Sequence, residues 1–285
     1  MIEILQQVLN GLAIGSVYVM IALGLTVVFG ILGIAHFAHG SVSMSGGYLT
    51  FFFGGALGIG FFPAMALAMV AGAVIGLLIE RLAYRPVRDA PHINAFIIAL
   101  GLTMMVEGLN LLSFGADQVV IQTPYKDVYN IGGVAVAELR LAVILTAITL
   151  VGVVAVLISR TKTGKAIRAV AQNRPAAVLM GANVNRVSAI VFAVSSALGA
   201  SAGALVGALL AISPGVGEGF AVKGFAVLIL GGLGSIPGAI VGGLVLGISE
   251  SLAAGFISSA YKDVIAFLVM IVVLLFRPEG LLGKR

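Results

Sequence analysis

The fold is decided by the beginning of the chain, where residues 4–32 read ILQQVLNGLAIGSVYVMIALGLTVVFGIL. No Asp, Glu, Lys or Arg occurs between Glu3 and Glu80, a run of 76 residues. Because about 20 apolar residues cross the hydrocarbon core of a bilayer as a helix, this run is long enough for three crossings. Two Gly-rich interruptions divide the run, and we predict spans near 8–30, 40–58 and 62–80.

Further apolar segments of membrane-spanning length follow in the rest of the chain. Within residues 219–255 the string GGLGSIPG at residues 231–238 indicates two helices joined by a tight loop. The other apolar segments predict spans near 93–114, 141–159, 187–212 and 264–276. We therefore predict an all-α integral membrane protein, a polytopic helical bundle of eight or nine transmembrane segments with a Gly-rich break.

Composition excludes most other classes of protein. The chain has 285 residues, of which 60% are apolar and 9% are charged, whereas a soluble domain is roughly 25% charged. Its 39 glycines suit helices that pack closely in lipid. Because cysteine is absent, the chain has no disulfide, thiolate metal site or cysteine nucleophile.

Basic residues occur mainly in three clusters. Arginine and lysine are concentrated on the cytoplasmic side of membrane proteins, and even numbers of predicted spans separate the clusters. All three are therefore predicted to be cytoplasmic, which puts the N-terminus outside. The clusters consist of Arg81, Arg85 and Arg88; of Arg160, Lys162, Lys165, Arg168, Arg174 and Arg186; and of Arg277, Lys284 and Arg285.

The second cluster lies in the loop 160–186, where we predict a short amphipathic helix bounded by Gly164 and Gly181. Its apolar face is predicted to hold Ile167, Val170, Ala171, Val178 and Leu179, and its polar face Lys165, Arg168, Gln172 and Asn173. Two interpretations are open. The loop lies on anionic lipid head groups, or it is a docking helix for a cytoplasmic partner.

The same loop does not predict a nucleotide site. Gly164 and Lys165 match the end of a P-loop, but that motif needs Gly and Ser or Thr where this chain has Ser159 and Ala166. If transport is driven by ATP, another subunit must hydrolyse it.

Ordered motifs along nearly the whole chain resemble those of branched-chain amino-acid ABC importer permeases, in particular the smaller of their two permease types. The loop 160–186 resembles the ATPase-coupling loop of that family. The other matching stretches are Asn10–Gly30, Phe37–Tyr48, Gly231–Gly243 and Arg277–Gly283. The resemblance implies one permease domain over residues 1–285, coupling loop included.

This resemblance also implies a function and its partners. The chain would be a non-catalytic translocation subunit for branched-chain amino acids in the inner membrane of a prokaryote. It would work with two cytoplasmic ATPases that bind ATP and Mg, a longer second permease, an extracytoplasmic amino-acid-binding protein and membrane lipid, without a cofactor of its own and without nucleic acid. The coupling residues would be Gly164, Lys165, Arg168, Gln172, Asn173, Ala177 and Gly181. Urea or short-chain amides are the alternative substrates of the same fold.

A polar segment within the uncharged run, together with two polar residues of the fourth span, is the candidate translocation path or gate. Irregular backbone at membrane depth is tolerated where it lines a cavity or is buried in protein, and intramembrane carboxylates are often functional. The alternatives are a plain cytoplasmic turn and a structural pairing of Glu107. The candidates are His36, His39, Gly40, Ser41, Ser43, Ser45, Glu107 and Asn110.

His36 stands where the family usually has Asn, which bears on the substrate. His36 and His39 are three residues apart, but a metal site needs further ligands and the third histidine, His92, is predicted to be cytoplasmic. We predict no metal site.

Two other classes of function are weighed against the importer. A proton-coupled secondary transporter usually carries a chain of buried carboxylates or histidines, and only Glu107 fits that description well. An intramembrane enzyme needs a catalytic string such as H-E-x-x-H or a G-x-S-x-G nucleophile site, and we expect neither in this chain.

Overall fold

The computed structural model describes residues 1–283 and is mainly helical. Between α3 and α4 it also contains a π-helical turn at Glu80–Tyr84. The helices and strands are α1 (Ile2–Leu32), α2 (His39–Leu57), α3 (Phe61–Ile79), α4 (His92–Phe114), β1 (Val128–Ile131), β2 (Val134–Ala137), α5 (Glu138–Arg160), α6 (Lys162–Gln172), α7 (Arg174–Leu179), α8 (Val184–Leu209), α9 (Val216–Gly231), α10 (Ile236–Phe256) and α11 (Lys262–Phe276).

Six helical segments of the described chain are long and apolar enough to cross a membrane, which confirms the predicted helical membrane class. They are Ile2–Leu32, Phe61–Tyr84, Ile93–Phe114, Glu138–Arg160, Val184–Leu209 and Ile236–Phe256. Helices α9 and α11 have 16 and 15 residues, fewer than the ~20 of a full crossing. The number of eight or nine spans therefore stays a prediction.

Helix α1 is the centre of the bundle and packs against α10. Glycines face each other across this contact: a Cβ on Gly11 would lie 2.6 Å from the Ile248 Cα, and one on Gly247 would lie 2.4 Å from the Gly15 Cα. Small residues at such a seam let helix backbones approach closely in lipid. The Gly content of the sequence is thus used for backbone packing.

The connection between α1 and α2 folds back into the bundle. Helix α1 ends at Gly33, whose φ of 65° is left-handed, and Ile34, His36 and Ala38 that follow are buried. Helix α2 starts beside Gly24, where an added Cβ would lie 2.6 Å from the His39 Nε2. Gly24 lies eight residues before the end of α1, about 12 Å along the axis. The connection is therefore buried within the bundle, and α2 begins beside α1 well before the end of that helix.

Helix α9 also starts inside the bundle. A Cβ on its residue Gly217 would lie 2.9 Å from the Gly40 carbonyl oxygen of α2. The predicted division of residues 219–255 is confirmed: α9 and α10 are joined by a tight loop in which Gly232 and Gly234 have φ of 105° and 77°. The C-terminal segment closes this loop, since the Leu281 N–H donates to the Leu230 carbonyl at 2.8 Å.

A β-hairpin, which the sequence analysis does not predict, marks one end of the bundle. Strands β1 and β2 are antiparallel, with Ile131 opposite Val134. The Gln6 amide at the start of α1 donates to the Ala135 carbonyl at 2.9 Å and accepts from the Ala135 N–H at 2.8 Å. We call this the hairpin end.

The first two basic clusters meet at the other end, which we call the basic end. Arg88 donates to the Asn185 side chain at 2.6 Å, and Arg174 pairs with Asp89 at 3.1 Å. The loop closed by the C-terminal segment lies beside Gly30, near the end of α1. Arg277 of the third cluster belongs to that segment, whereas Lys284 and Arg285 lie outside the described residues.

Candidate functional site

The loop 160–186 contains two helices, which corrects the prediction of one helix bounded by Gly164 and Gly181. Gly164 lies inside the first turn of α6 and is buried, because a Cβ there would lie 2.2 Å from the Ile158 carbonyl oxygen. The break comes at Asn173, whose side chain accepts from the Ala176 N–H at 3.0 Å and so caps α7. Gly181, with φ of 87°, follows α7 as predicted.

Because the chain turns at Asn173, the predicted apolar face is divided. Ile167 and Val170 of α6 are buried in a core that also holds residues of α1 and α5. Ala171 is exposed, and Val178 and Leu179 of α7 are 51% and 88% exposed. Helix α6 is thus docked on the bundle, whereas α7 carries a projecting apolar tip.

The apolar tip of α7 consists of Val178, Leu179 and Met180. Met180 is 88% exposed, like Leu179. The neighbouring Ala177 is buried and accepts from the Ala182 N–H at 2.9 Å. One side of this short helix therefore rests on the protein and the other side is free.

Among the polar residues of the loop, Arg168 points inward. Its guanidinium donates to the Ile158 carbonyl at the end of α5, where a cation satisfies an unpaired helix carbonyl and the helix dipole. Lys165, Gln172 and Asn173 are exposed. Arg168 therefore fixes α6 to α5, and the exposed polar face is smaller than predicted.

A buried ion pair lies within the α3–α4 turn, next to the loop 160–186. Arg88 donates to Glu80 at 2.5 Å, and the side chains are only 9% and 2% exposed. Burial lowers the pKa of the Arg88 guanidinium, and the Glu80 carboxylate opposes that shift. Since Arg88 also donates to Asn185 and Asp89 pairs with Arg174, two contacts join this turn to the coupling loop.

The structure brings together four of the predicted path residues. Ser41 donates to the Glu107 carboxylate at 3.0 Å, and Ser45 donates to the Asn110 side-chain oxygen at 3.1 Å. Both contacts join α2 to α4. Glu107 is therefore paired with a bundle neighbour.

The remaining path residues face other helices. Ser43 donates to the His39 carbonyl at 2.7 Å and lies against Gly199 of α8, and Gly40 packs on Ala221 of α9. The predicted set thus lines two faces of α2.

The two histidines lie in an aromatic cluster. The His36 Nδ1 is 2.9 Å from the Tyr84 hydroxyl, and its ring centroid is 5.3 Å from that of Phe192. The His39 Nδ1 is 3.4 Å from the Ser195 hydroxyl. Both rings are buried, and neither Nε2 has a hydrogen-bond partner among residues 1–283.

An apolar cavity of about 380 Å³ lies between α2, α3 and α4. Ser45 and Asn110 are its polar groups, and the Asn110 Nδ2 has no hydrogen-bond partner in the described part of the chain. The apolar lining consists of Leu49, Ile75, Leu78, Ile79, Leu82, Ala83, Leu102, Met105, Val106, Leu109 and Phe114. This cavity can take an apolar side chain and offers one amide to a polar group.

A second polar cluster, near the hairpin end, is missed by sequence reasoning. The Lys223 Nζ is 2.7 Å from the Glu250 Oε1, 2.9 Å from Asp263 and 2.9 Å from the Tyr18 hydroxyl. Glu250 is 3% exposed. The signal was Lys223, a single cation within the apolar residues 219–231.

A serine-nucleophile string does occur, as GASAG at residues 199–203. That motif acts on a strand-to-helix turn, but here it lies within α8, where Ser201 is buried and donates to the Leu198 carbonyl at 2.7 Å. Its glycines face α2, since a Cβ on Gly203 would overlap the Ser43 carbonyl. The string serves helix packing.

Residues 7–274 match the family model described as branched-chain amino acid transport system / permease component. The chain belongs to this family. Curated relatives agree over nearly the whole length of this permease. It is 38% identical to the high-affinity branched-chain amino acid transport system permease protein BraD of Pseudomonas aeruginosa, covering 98% of this chain and 96% of the relative.

Two further relatives extend the comparison. The permease is 37% identical to the permease protein LivH of Escherichia coli K12, covering 98% of this chain and 96% of LivH. It is 31% identical to a probable branched-chain amino acid transport permease protein LivH of Methanocaldococcus jannaschii, covering 98% and 92%.

A solved structure shares the fold. PsaBC from Streptococcus pneumoniae, in complex with a Fab, aligns with a TM-score of 0.51 and 12% identity over 95% of this chain and 91% of that chain. The protein is a multi-pass membrane permease, and its named relatives are permease proteins of transport systems.

Proposed function

We propose that this chain is the permease subunit of an ATP-driven importer that moves branched-chain amino acids into the cytoplasm. The observation that carries the proposal is the agreement with curated branched-chain amino acid permeases over 98% of the chain. The whole of residues 1–285 forms one permease domain, which includes the coupling loop 160–186.

The proposed partners are assigned to the two ends of the bundle. Two cytoplasmic ATPases, which bind ATP and Mg, dock at the basic end, and this chain needs no cofactor. A longer second permease completes the path, and an extracytoplasmic binding protein delivers the amino acid at the hairpin end. The membrane is the inner membrane of a prokaryote, and the positively charged loops lie on its cytoplasmic side.

The apolar tip of α7 supports the docking of an ATPase. Leu179 and Met180 are each 88% exposed, and an exposed apolar patch bordered by polar residues is typical of an interaction site. The Glu80–Arg88 pair and its contacts with Asn185 join this loop to α3 and α4. A movement of the docked ATPases would therefore reach the cavity between α2, α3 and α4.

That cavity supports an apolar substrate. Its walls are aliphatic and aromatic, and its polar groups are Ser45 and Asn110. A branched aliphatic side chain loses no hydrogen bond on entering such a space, and burying it is favourable by about 0.8 kcal/mol per CH₂. Urea and short amides have little apolar surface to bury, so we rank them below branched-chain amino acids.

The test is reconstitution of the complete importer. The chain is co-expressed with the candidate second permease and ATPases, placed in proteoliposomes and supplied with leucine-loaded binding protein. We expect ATP hydrolysis and leucine uptake to rise together, and an uncoupler to leave uptake unchanged. Uptake that needs a proton gradient and no ATP would establish a secondary transporter instead. Transport of urea without leucine would overturn the substrate.

Sidedness has its own test, which the absence of cysteine makes clean. A single cysteine at Asn173 is expected to react with an impermeant maleimide only in inside-out vesicles, and one at Tyr129 of the hairpin only in intact cells. The reverse pattern would place the ATPases on the wrong side for the proposal.

A further inference from the structure

The polar cluster of Lys223 and Glu250 borders a second cavity, of about 220 Å³, between α1, α8, α9, α10 and α11. Pockets for drug-sized ligands are about 300–1,000 Å³, so this one suits a smaller molecule. It lies near the hairpin end, because Glu250 is six residues, about 9 Å, from the end of α10. It is separate from the apolar cavity beside α2.

Three charged side chains, those of Lys223, Glu250 and Lys262, line this cavity. Asp263 lies beside it as the ion-pair partner of Lys223, and the formal charges of the four side chains cancel. Lys223 and Lys262 carry the positive charges, and Glu250 and Asp263 carry the negative ones. A neutral molecule with separated opposite charges can therefore bind without leaving an uncompensated charge away from water. Ions inside a membrane bundle are expensive and usually functional.

The charged groups differ in how many hydrogen-bond and ion-pair partners they have. Lys223 donates to the Glu250 carboxylate at 2.7 Å and to the Tyr18 hydroxyl at 2.9 Å, and it forms an ion pair with Asp263 at 2.9 Å. Lys262 has a single ion-pair partner in the described part of the chain, Glu250 at 3.4 Å, and its side chain is 42% exposed. Lys262 therefore has donors to offer to an anion.

The Glu250 carboxylate can bind a cationic group. Its Oε1 accepts from Lys223, and its Oε2 accepts from the Tyr18 hydroxyl at 2.7 Å. A carboxylate has about four lone-pair sites, so acceptor capacity remains beside the cavity. An ammonium group placed there would meet a buried, fixed carboxylate.

The other walls of the cavity are apolar. They are formed by aliphatic side chains of α1 and α8 and by one aromatic ring of α9, chiefly Val17, Val206, Leu209 and Phe220. The pocket thus combines a cation, an anion and a surface for one short aliphatic group. These are the three features of an α-amino acid with an apolar side chain.

We propose that this cavity binds the free amino acid, with Glu250 facing its ammonium, Lys262 contacting its carboxylate and the wall of α1, α8 and α9 holding its side chain. This inference rests on the proposed function and deepens it, since it assigns a substrate site within this chain. The site lies where an amino acid released on the extracytoplasmic side would enter.

The test is photolabelling of the purified full-length chain with a diazirine analogue of L-leucine, followed by mass spectrometry of the labelled peptides. We expect label near residues 14–18 and 206–223, with L-leucine blocking it. The deaminated acid 4-methylpentanoate and the decarboxylated amine 3-methylbutylamine should each compete at least tenfold less well, because each lacks one charge. Equal competition by either analogue, or label spread over the lipid-facing helices, would overturn the site.

Matched variants separate binding from folding. Lys262→Gln removes a half-exposed ammonium and is expected to lower labelling about tenfold, whereas Lys126→Gln, an exposed lysine outside the cavity, should label as the wild type does. Wild-type labelling of Lys262→Gln would also overturn the proposal.

Leucine uptake by the reconstituted importer distinguishes a failure of this binding site from a failure of the proposed function. If the wild type imports leucine and Lys262→Gln imports it at the same rate and KM, this site is wrong and the proposed function stands. If the wild type imports no leucine, the proposed function fails.

Discussion

The permease has a buried ion pair at each end, and the two differ in their surroundings. Glu80 and Arg88 at the basic end are enclosed, with side chains 2% and 9% exposed. Lys223 and Glu250 at the hairpin end border a cavity, and their neighbour Lys262 is 42% exposed. The enclosed pair fixes Arg88, which also donates to Asn185 of the coupling loop. The pair at the hairpin end borders a cavity that has room for a small molecule. Burial of a charge pair alone does not distinguish these roles.

The largest difference is expected when the acid of each pair is removed. Glu80→Ala leaves Arg88 buried without its partner, which typically costs about 3–5 kcal/mol. Glu250→Ala leaves Lys223 with Asp263 and Tyr18, so a smaller loss is expected. Chemical unfolding of the purified chain in detergent measures both. Equal losses would mean that the two pairs have the same structural role.

The next effect concerns the apolar tip of α7. Leu179→Asp is expected to weaken binding of the ATPases by about 30-fold, since truncating or charging a central anchor typically costs about 2 kcal/mol or more. Co-purification at graded protein concentration measures it, with Leu179→Met as the matched control. Both variants should fold alike, because this side chain is 88% exposed. Unchanged binding of the Asp variant would favour a loop that lies on lipid.

A smaller effect is expected for His36, which stands where the family usually has Asn. His36→Asn removes the contact between the imidazole and the Tyr84 hydroxyl, a buried hydrogen bond whose orphaned partner costs about 1–3 kcal/mol. Adding Tyr84→Phe removes the orphaned hydroxyl and should recover part of that loss. Unfolding of the two single variants and the double variant measures the coupling. Additive losses would exclude the contact as a source of stability.

The smallest effect is expected from the exposed pair of Arg174 and Asp89. Their side chains are 44% and 84% exposed, and surface pairs contribute about 0–1 kcal/mol. Asp89→Asn should therefore leave stability almost unchanged and slightly weaken the contact between the turn and α7. Comparing the free energies of unfolding of Asp89→Asn and Glu80→Ala separates the exposed Arg174–Asp89 pair from the enclosed Glu80–Arg88 pair.

The coupling loop shows how far periodicity reaches. It predicted amphipathic character, and Ile167 and Val170 are buried as expected. Periodicity did not predict the break at Asn173. An Asn side chain can either cap a new helix or lie within a continuing one, and the cap is favoured only when the segment after it packs in a different place. Arg168 was expected on the outer face, and its contact with Ile158 depends on how α5 ends beside α6.

The role of the candidate path residues stays a prediction. The structure pairs four of them across α2 and α4, Ser41 with Glu107 and Ser45 with Asn110. Ser43 and His39 lie apart from these four residues because different helices flank the two faces of α2. This arrangement depends on contacts between residues far apart in the chain, so no local sequence pattern predicts it.

The sequence by itself determined the membrane class, the break between α9 and α10, the clustering of basic residues and the family, because hydropathy, glycine and charge act locally on each segment. Only the tertiary structure decided the buried starts of α2 and α9, the hairpin against Gln6 and the meeting of Lys223 with Tyr18, 205 residues away. The reason is physical: each of these depends on contacts between helices, and glycine seams such as Gly11 against Ile248 set those contacts only when both helices are present.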